Sequence, residues 1–450
     1  MQLPKRYWNP VTETMPRAEL AELQWRKLRA QLTHLYRHSP FYRQWMDSSQ
    51  AGPDQIESLD DYFKRFPILF RDDITTAELE SPPYGTLAAV DPKYGIFHHQ
   101  TSGSTGAPPI RSFDTARDWT WVSDMWATAL TGMGVREGDK AVAAFGYALF
   151  IGFWGAHYGI QRMGCQMLST GGLDTEKRIE LIMDLGINVF LTTPTYALRV
   201  AQVASQIGVD LAKDSPISLV VTSGEPRPQS TRKIVEDVFD AYVADSAGMT
   251  EAGTVVMFEC VEDPGGMHII ETDVIEEVLN PETKEPVPYG EQGVRVMTTL
   301  GREGIAVLRY WTNDLVVKQP YTGCRCGRTW DLYEGGIRGR ADHLRKVRGV
   351  WFTPIMVEDL VRSKFPDVDE FQIRLGTVEG IDALIIQLEP TAGVPRERYG
   401  NLHDRFAVEA KRALTLTPEV EIVSPGTLPR FEMKAKRFED VRQPGDRQEV

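Results

Sequence analysis

The sequence predicts an α/β protein: a large N-terminal domain of parallel βα sheets plus a β-rich subdomain, followed by a small α+β domain. Three observations predict it. Between Asp139 and about Ser246, short β-rich runs (AVAAF, CQMLS, NVFLTT, SLVVTS, AYVAD) alternate with helical patterns such as TEKRIELIMDLG and YALRVAQVASQIG. That alternation marks βα units on a mostly parallel sheet, whose ligands lie at the carboxyl ends of the strands. From Glu271 to Val317 the pattern turns to strands with short connections (VRVMTTL, AVLRYW, LVVKQ), a β-rich subdomain. Beyond Arg340 come two alternating strands (FQIRLGTV, DALIIQLEP), a helix through ERYGNLHDRFAVEAKRAL and a last strand EVEIVS, together a module of about one hundred residues. The boundary is expected near Gly339 to Asp342, giving domains 1–340 and 341–450, with no internal repeat.

Within the N-terminal part, Leu20, Leu23, Leu28, Leu32 and Leu35 recur at near-helical spacing, so residues 17–38 read as an amphipathic helix. Ala141 to Ile160 carries no Asp, Glu, Lys or Arg over a length that could span a bilayer. Gly146, Gly152, Gly155, Gly159 and His157 argue instead for a buried strand, a Gly-Tyr turn and a core helix.

Composition narrows the function classes. The 450 residues are 42% hydrophobic and 25% charged, which excludes a largely disordered chain. Lys and Arg number 50 against 63 Asp and Glu, a net charge of −13, so neither nucleic acid nor a membrane is an expected partner. Cys165, Cys260, Cys324 and Cys326 are too few to staple the chain, and the opening MQLPKRYWNPVTETMPRAEL has no apolar secretory core. A cytoplasmic setting is expected.

The stretch His98-His99-Gln100-Thr101-Ser102-Gly103-Ser104-Thr105-Gly106-Ala107-Pro108 packs four hydroxyls and two glycines between an apolar strand and a proline. Glycines bring backbone N–H groups close to an anion, and hydroxyls donate further hydrogen bonds to phosphate oxygens. No Gly-Lys-Ser/Thr closes the stretch, and the PPIRSF that follows reads extended, so it is not a Walker loop. His98 and His99 either line the site or end a strand.

TSGSTGAP resembles the phosphate-binding signature of adenylate-forming enzymes, the acyl-CoA synthetase and luciferase superfamily. Four further segments resemble that superfamily in order: Ser223-Gly224-Glu225-Pro226, Gly248-Met249-Thr250-Glu251, Arg309-Tyr310-Trp311-Thr312-Asn313-Asp314, and Gly339-Arg340-Ala341-Asp342 with Arg348-Gly349-Val350. Within it the chain resembles the phenylacetate-CoA ligase family over nearly its whole length, through YWNPVTETMPRAEL, HSPFYRQW, FGYALF, LSTGGLDTEKRIELIMDLG, TTPTY and LPRFEMKAKRFED. The resemblance implies an adenylate-forming N-terminal domain and a mobile C-terminal domain. It implies that an aryl or arylacetic acid attacks the α-phosphate of ATP, and that coenzyme A then displaces AMP.

Residue roles follow from the same resemblance. Thr101, Ser102, Gly103, Ser104, Thr105 and Gly106 would cradle the phosphates, while Ser223, Gly224, Glu225, Pro226, Asp245, Ala247, Gly248 and Met249 would frame the nucleotide. Lys434 would bridge the attacking carboxylate and the α-phosphate. Thr250 and Glu251 would act beside it, Glu251 helping to hold Mg2+. Asp314 would accept the ribose hydroxyls, Arg340 would contact ribose or phosphate, and Asp342 would be the hinge. Tyr147, Phe150, Phe153, Trp154, Gly224 and Ala247 would line the acid pocket, since aromatic walls suit a planar ring.

Departures from the family pattern fall at Ala107, Ala247, His343, Trp351 and Met433. Ala107 stands where a lysine is usual, leaving Arg111 or no cation to assist the pyrophosphate. Cys260, His268, Cys324 and Cys326 supply three thiolates and one imidazole, a closed tetrahedral shell for a structural zinc, as in some members of the family. Cys165 reads as plain core. Transfer to a non-CoA acceptor, or a silent nucleotide- or aryl-acid-binding protein, remain as alternatives, and so do monomer and homodimer.

Overall fold

The computed structural model describes residues 6–101, 108–144, 147–348, 350–378, 381–431 and 435–442. They form two compact units. One comprises Met1–Thr192, Pro216–Gly224 and Ala244–Ile337; the other comprises Thr193–Ser215, Glu225–Val243 and Arg338–Val450. The second unit thus gathers two helical excursions from the middle of the chain along with the C-terminal module.

In the first unit, β1 (Phe97–Gln100) and β2 (Arg111–Asp114) make an antiparallel hairpin around the Ser/Thr/Gly stretch, with His99 opposite Ser112. The main sheet is built from β3 (Lys140–Ala143), β4 (Gln166–Ser169), β5 (Val189–Thr192), β6 (Leu219–Ser223), β7 (Tyr242–Met249), β8 (Thr254–Glu259), β9 (Gly266–Ile269), β10 (Val274–Leu279), β11 (Gln292–Thr299), β12 (Tyr310–Gln319) and β13 (Leu332–Glu334). Its order is β10-β11-β12-β13-β9-β8-β7-β6-β5-β3-β4. The β4-β3-β5-β6 portion is parallel. Its runs are apolar because both faces are covered: Val189, Phe190 and Leu191 are all buried. From β7 to β8 the pairing becomes antiparallel, which begins the β-rich part.

The charge-free stretch ends β3 and continues as helix Ile151–Arg162. Gly155 and Gly159 let that helix meet the helix Ala116–Met133 closely, since a Cβ at either would lie 2.4 or 2.5 Å from an atom of Trp126. Among the described residues no helix is long and apolar enough to cross a membrane. The helix Arg17–His38 buries Leu20, Leu28, Leu32 and Leu35 on one side, as its spacing predicts.

One strand differs from expectation. The run AVLRYW becomes extended only at Tyr310, and it joins LVVKQ in the single strand β12. Arg309 is left-handed at φ 46°, and its guanidinium grips both oxygens of Glu277 at 2.8 Å. A buried cation needing a paired carboxylate overrides the β propensity of its neighbours.

The second unit carries a four-stranded sheet ordered Glu419–Ile422, Ile381–Pro390, Val368–Val378, Phe438–Asp440. Helices Pro354–Lys364 and Tyr399–Leu414 cover it, closing a core that includes Phe352, Phe365, Phe371, Ile386 and Phe406. The helices Pro194–Gln206 and Gln229–Phe239 also belong to this unit; Ser230 Oγ donates to Asp359 at 2.8 Å.

Arg302 is the polar pillar of the first unit. Fully buried, it donates from Nε and Nη2 to Asp114 Oδ1 at 3.1 and 2.7 Å, from Nη2 to Ser112 Oγ at 2.7 Å, and from Nη1 to the Glu251 carbonyl at 3.2 Å. Gly253 is required beside it: φ is +77°, and a Cβ would lie 2.4 Å from the guanidinium carbon. Asp114→Asn leaves a buried cation without its counter-charge and should cost about 3–5 kcal/mol. Chemical denaturation should show that loss, whereas Arg117→Ala at the exposed pair with Glu303 should change stability by less than about 1 kcal/mol.

Candidate active site

The hairpin holds the base of the Ser/Thr/Gly stretch. Thr101 N donates to the Ile110 carbonyl and Ile110 N donates to Thr101 Oγ1, each at 2.9 Å. Ser102, Gly103, Ser104, Thr105, Gly106 and Ala107 lie outside the described residues, as do Met433 and Lys434. His98 and His99 both sit in β1. His98 Nδ1 meets the Tyr84 hydroxyl at 3.1 Å. His99 is buried 5.5 Å from the Trp119 ring centre and 3.4 Å from Asp114 Oδ2. Burial, with Arg302 and His98 nearby, pushes the His99 pKa down to about 3, so the ring is neutral.

Three groups that sequence reasoning did not assign converge on this edge. Arg71 Nη2 donates to the Pro108 carbonyl at 2.8 Å, and its Nη1 lies 3.6 Å from Glu251 Oε1. Tyr310 donates its hydroxyl to the same Glu251 oxygen at 3.1 Å. Glu78 accepts the Arg111 backbone N–H at 2.8 Å, and the Arg111 guanidinium stands 3.9 Å from its other oxygen. Arg71 opens a short helix amid ordinary surface charges, so no local spacing sets it apart. Glu251 is thereby buried and oriented, and among the described residues both side-chain contacts fall on Oε1.

The central segments lie at the carboxyl ends of β6 and β7. Ser223 Oγ donates to the Ser246 carbonyl at 2.9 Å, and Thr222 Oγ1 donates to Asp245 Oδ1 at 2.8 Å. Asp245 thereby ties β7 to β6 through Oδ1. Gly224 turns the chain at φ 86°. The register slips between Ala247 and Gly248, where a Cβ on Gly248 would lie 2.3 Å from the Thr254 carbonyl oxygen. Met249 and Thr250 offer their carbonyls to Gly253 N at 3.0 Å, closing the turn that presents Glu251. Asp314 is held at 3.3 Å by Arg295, which also grips Glu276.

The expected acid-pocket residues surround the turn after β3. Tyr147 and Trp154 meet edge to face at 4.9 Å, and Phe150 and Phe153 lie 5.0 Å apart. Phe153 is buried, and Phe150 is half-buried. The Tyr147 hydroxyl meets His157 Nδ1 at 3.0 Å. Gln100 N donates to the Leu149 carbonyl at 3.1 Å, tying the turn to β1.

In the second unit, Arg340 donates from Nε and Nη2 to the two oxygens of Asp342 at 2.8 and 2.6 Å, so the expected ribose contact and the expected hinge are paired with each other. Glu225, following Gly224 and preceding Pro226, accepts from Thr195 N at 3.2 Å and from Ala435 N.

Cys260, His268, Cys324 and Cys326 are brought together, with one ligand atom from each lying within 4.8 Å of every other. Cys260 Sγ is 3.4 Å from Cys324 Sγ, and Cys326 Sγ is 3.3 Å from His268 Nε2. His268 Nδ1 faces the Trp330 carbonyl at 3.0 Å, which leaves Nε2 directed at the thiols. The Arg328 backbone N–H donates to Cys326 Sγ at 3.3 Å, and the buried Arg328 cation pairs with Glu13. Cys165 is buried apart from them.

The family model for AMP-binding enzymes matches residues 19–298, and that for the AMP-binding enzyme C-terminal domain matches 349–442. A phenylacetate-coenzyme A ligase of Thermus thermophilus is 31% identical over 97% of this chain and 99% of its own. One from Escherichia coli K12 is 31% identical over 96% and 97%. A crystal structure of a 2-hydroxyisobutyryl-CoA ligase in the postadenylation state superposes with a TM-score of 0.90 at 26% identity, covering 98% of this chain and 94% of that one.

Glu78 supplies a pH signature. Burial, with Glu251 adding to it against Arg111 and Arg71, pushes its carboxyl up to about 7. Between the ordinary value of about 4.3 and that point, the folded protein holds a proton that the unfolded chain releases, so the group costs stability as pH rises through the window. The melting temperature of Glu78→Gln should therefore gain on the wild type between about pH 4.5 and 7; a constant gap would refute the raised value.

Proposed function

Because the chain belongs to the AMP-binding enzymes, and within them to the phenylacetate-CoA ligases, it is an AMP-forming CoA ligase, and we propose that its acid is aromatic. ATP-dependent acyl-CoA formation is common to that family. The observation that carries the aromatic reading is the ring-rich turn after β3, where Tyr147, Phe150 and Trp154 stand at the carboxyl end of a parallel strand.

In this reading the acid carboxylate attacks the α-phosphorus, its oxygen bonds there, and pyrophosphate leaves. The thiol of coenzyme A then adds to the acyl carbon, the acyl–oxygen bond to AMP breaks, and the thiol proton goes to solvent. Bringing two anions together makes positioning and charge neutralisation the main tasks of the protein. Lys434 supplies the bridging cation, and Thr101 to Gly106 cradle the phosphates. Arg71, which bonds the Pro108 carbonyl, and Arg111 would supply the positive charge that a lysine at 107 would otherwise bring. Asp314 serves the ribose. The 341–450 module turns about Asp342 between the half-reactions. Glu251 suits Mg2+, since its carboxylate is buried, fixed through one oxygen and backed by the Arg302 contact to its carbonyl. Mg2+ held there would offset triphosphate charge.

The four Cys and His donors fit zinc, whose closed shell leaves no site for a reacting water and so serves structure. It would join β8, β9 and the Cys324-x-Cys326 turn. Metal analysis should find about one zinc per chain, with Cys326→Ser losing it and melting lower; full stability without metal would refute the assignment.

A branched hydroxy acid is the second reading, favoured by the 2-hydroxyisobutyryl-CoA ligase likeness. Pyrophosphate release with phenylacetate, benzoate and 2-hydroxyisobutyrate separates the two, the aromatic acids being expected to show at least a ten-fold higher kcat/KM, about 1.4 kcal/mol in barrier. Lys434→Ala should lower acyl-adenylate formation by about a hundred-fold or more; normal synthesis in that variant would remove the lysine from its role.

A further inference from the structure

Glu225 is shared between two amides that belong to different motifs. Its Oε2 accepts the N–H of Thr195, the second residue of helix Pro194–Gln206, at 3.2 Å, while Oε1 accepts the N–H of Ala435, the residue directly after Lys434. Amides in a first helical turn lack intrahelical partners and favour a carboxylate. Thr193 already caps the helix through Tyr196 N at 3.1 Å, so Glu225 is an added anion there and not the cap itself.

The far side of the Ala435 segment is anchored independently. Arg437 donates to Glu370 through Nε and Nη2 at 2.6 and 3.1 Å and lies 3.4 Å from Glu358, and its carbonyl accepts from Ile373 N at 2.6 Å. Lys436 offers its carbonyl to Gln372 Nε2 at 3.4 Å. Those bonds fix the start of the strand Phe438–Asp440. Glu225 alone, among the described residues, grips the amide adjoining Lys434.

We propose that Glu225 is a positioning residue for adenylation: its carboxylate latches the Lys434 segment to the first turn of helix Pro194–Gln206, and the latch opens before thioester formation. The proposal rests on Lys434 being the adenylating cation. Hydrogen bonds to an ionised acceptor are strong enough to hold a short segment, and backbone amides exchange them for water without leaving an unpaired group. A neutral amide at 225 would face one of the two N–H donors with an NH2 group, so both bonds cannot form.

The test uses the full chain and the best acid of the panel above. ATP–pyrophosphate exchange reports adenylation; chemically prepared acyl-adenylate with coenzyme A reports the second half-reaction. For Glu225→Gln, the ratio of adenylation to thioester rate should fall at least ten-fold through kcat, and amide exchange in the peptide containing Ala435 should quicken. An unchanged ratio overturns the latch, and so does a loss confined to KM for ATP, which would mark a nucleotide contact instead. Should Glu225→Gln melt below assay temperature, Ala435→Pro removes the donor and must give the same shift. Lys434→Ala run alongside separates the failures: its normal adenylation removes the underlying reading, whereas a dead Lys434→Ala beside a fully active Glu225→Gln removes only the latch.

Discussion

A guanidinium sealed from water governs the first unit. Arg302 has no solvent to share its charge, so Asp114, Ser112 and the Glu251 carbonyl must all stand within hydrogen-bonding reach. These partners come from two separate segments: Asp114 and Ser112 from the hairpin β1–β2, Glu251 from the turn after β7. The energetic penalty of leaving such a cation unsatisfied is what keeps these segments in register. Neutral His99, locked against Trp119, completes the dry floor.

Much of this was legible because periodicity and turn chemistry are local. The parallel βα order, the helix 17–38 and the antiparallel β-rich part all follow from spacing. The Cys and His donors were readable as a set since their chemistry limits what they do, although only the pairing of β8 with β9 brings His268 beside Cys260. The glycines of 152–159 suit the core helix that the sequence predicts there, and Trp126 packs against Gly155 and Gly159.

What spacing could not announce are residues whose role exists only through distant partners. Arg71 and Tyr310 are separated from Glu251 by 180 and 59 positions, and although Tyr310 falls within a family-like segment, nothing local to either residue pairs it with Glu251. Arg309 broke an expected strand for the same reason, its partner Glu277 lying on another strand. Phe153 is buried on the helix Ile151–Arg162, its ring 5.0 Å from that of Phe150. The helices after β5 and β6 carry buried apolar residues, Val200, Val203, Val235 and Phe239 among them, and their grouping with the C-terminal part of the chain is a matter of packing that periodicity does not announce.

The reciprocal bonds between Thr101 and Ile110 close the mouth of the loop before its chemistry begins. They join the ends of β1 and β2 through one side chain and backbone groups, so the pairing of the strands is closed before residue 102 is reached.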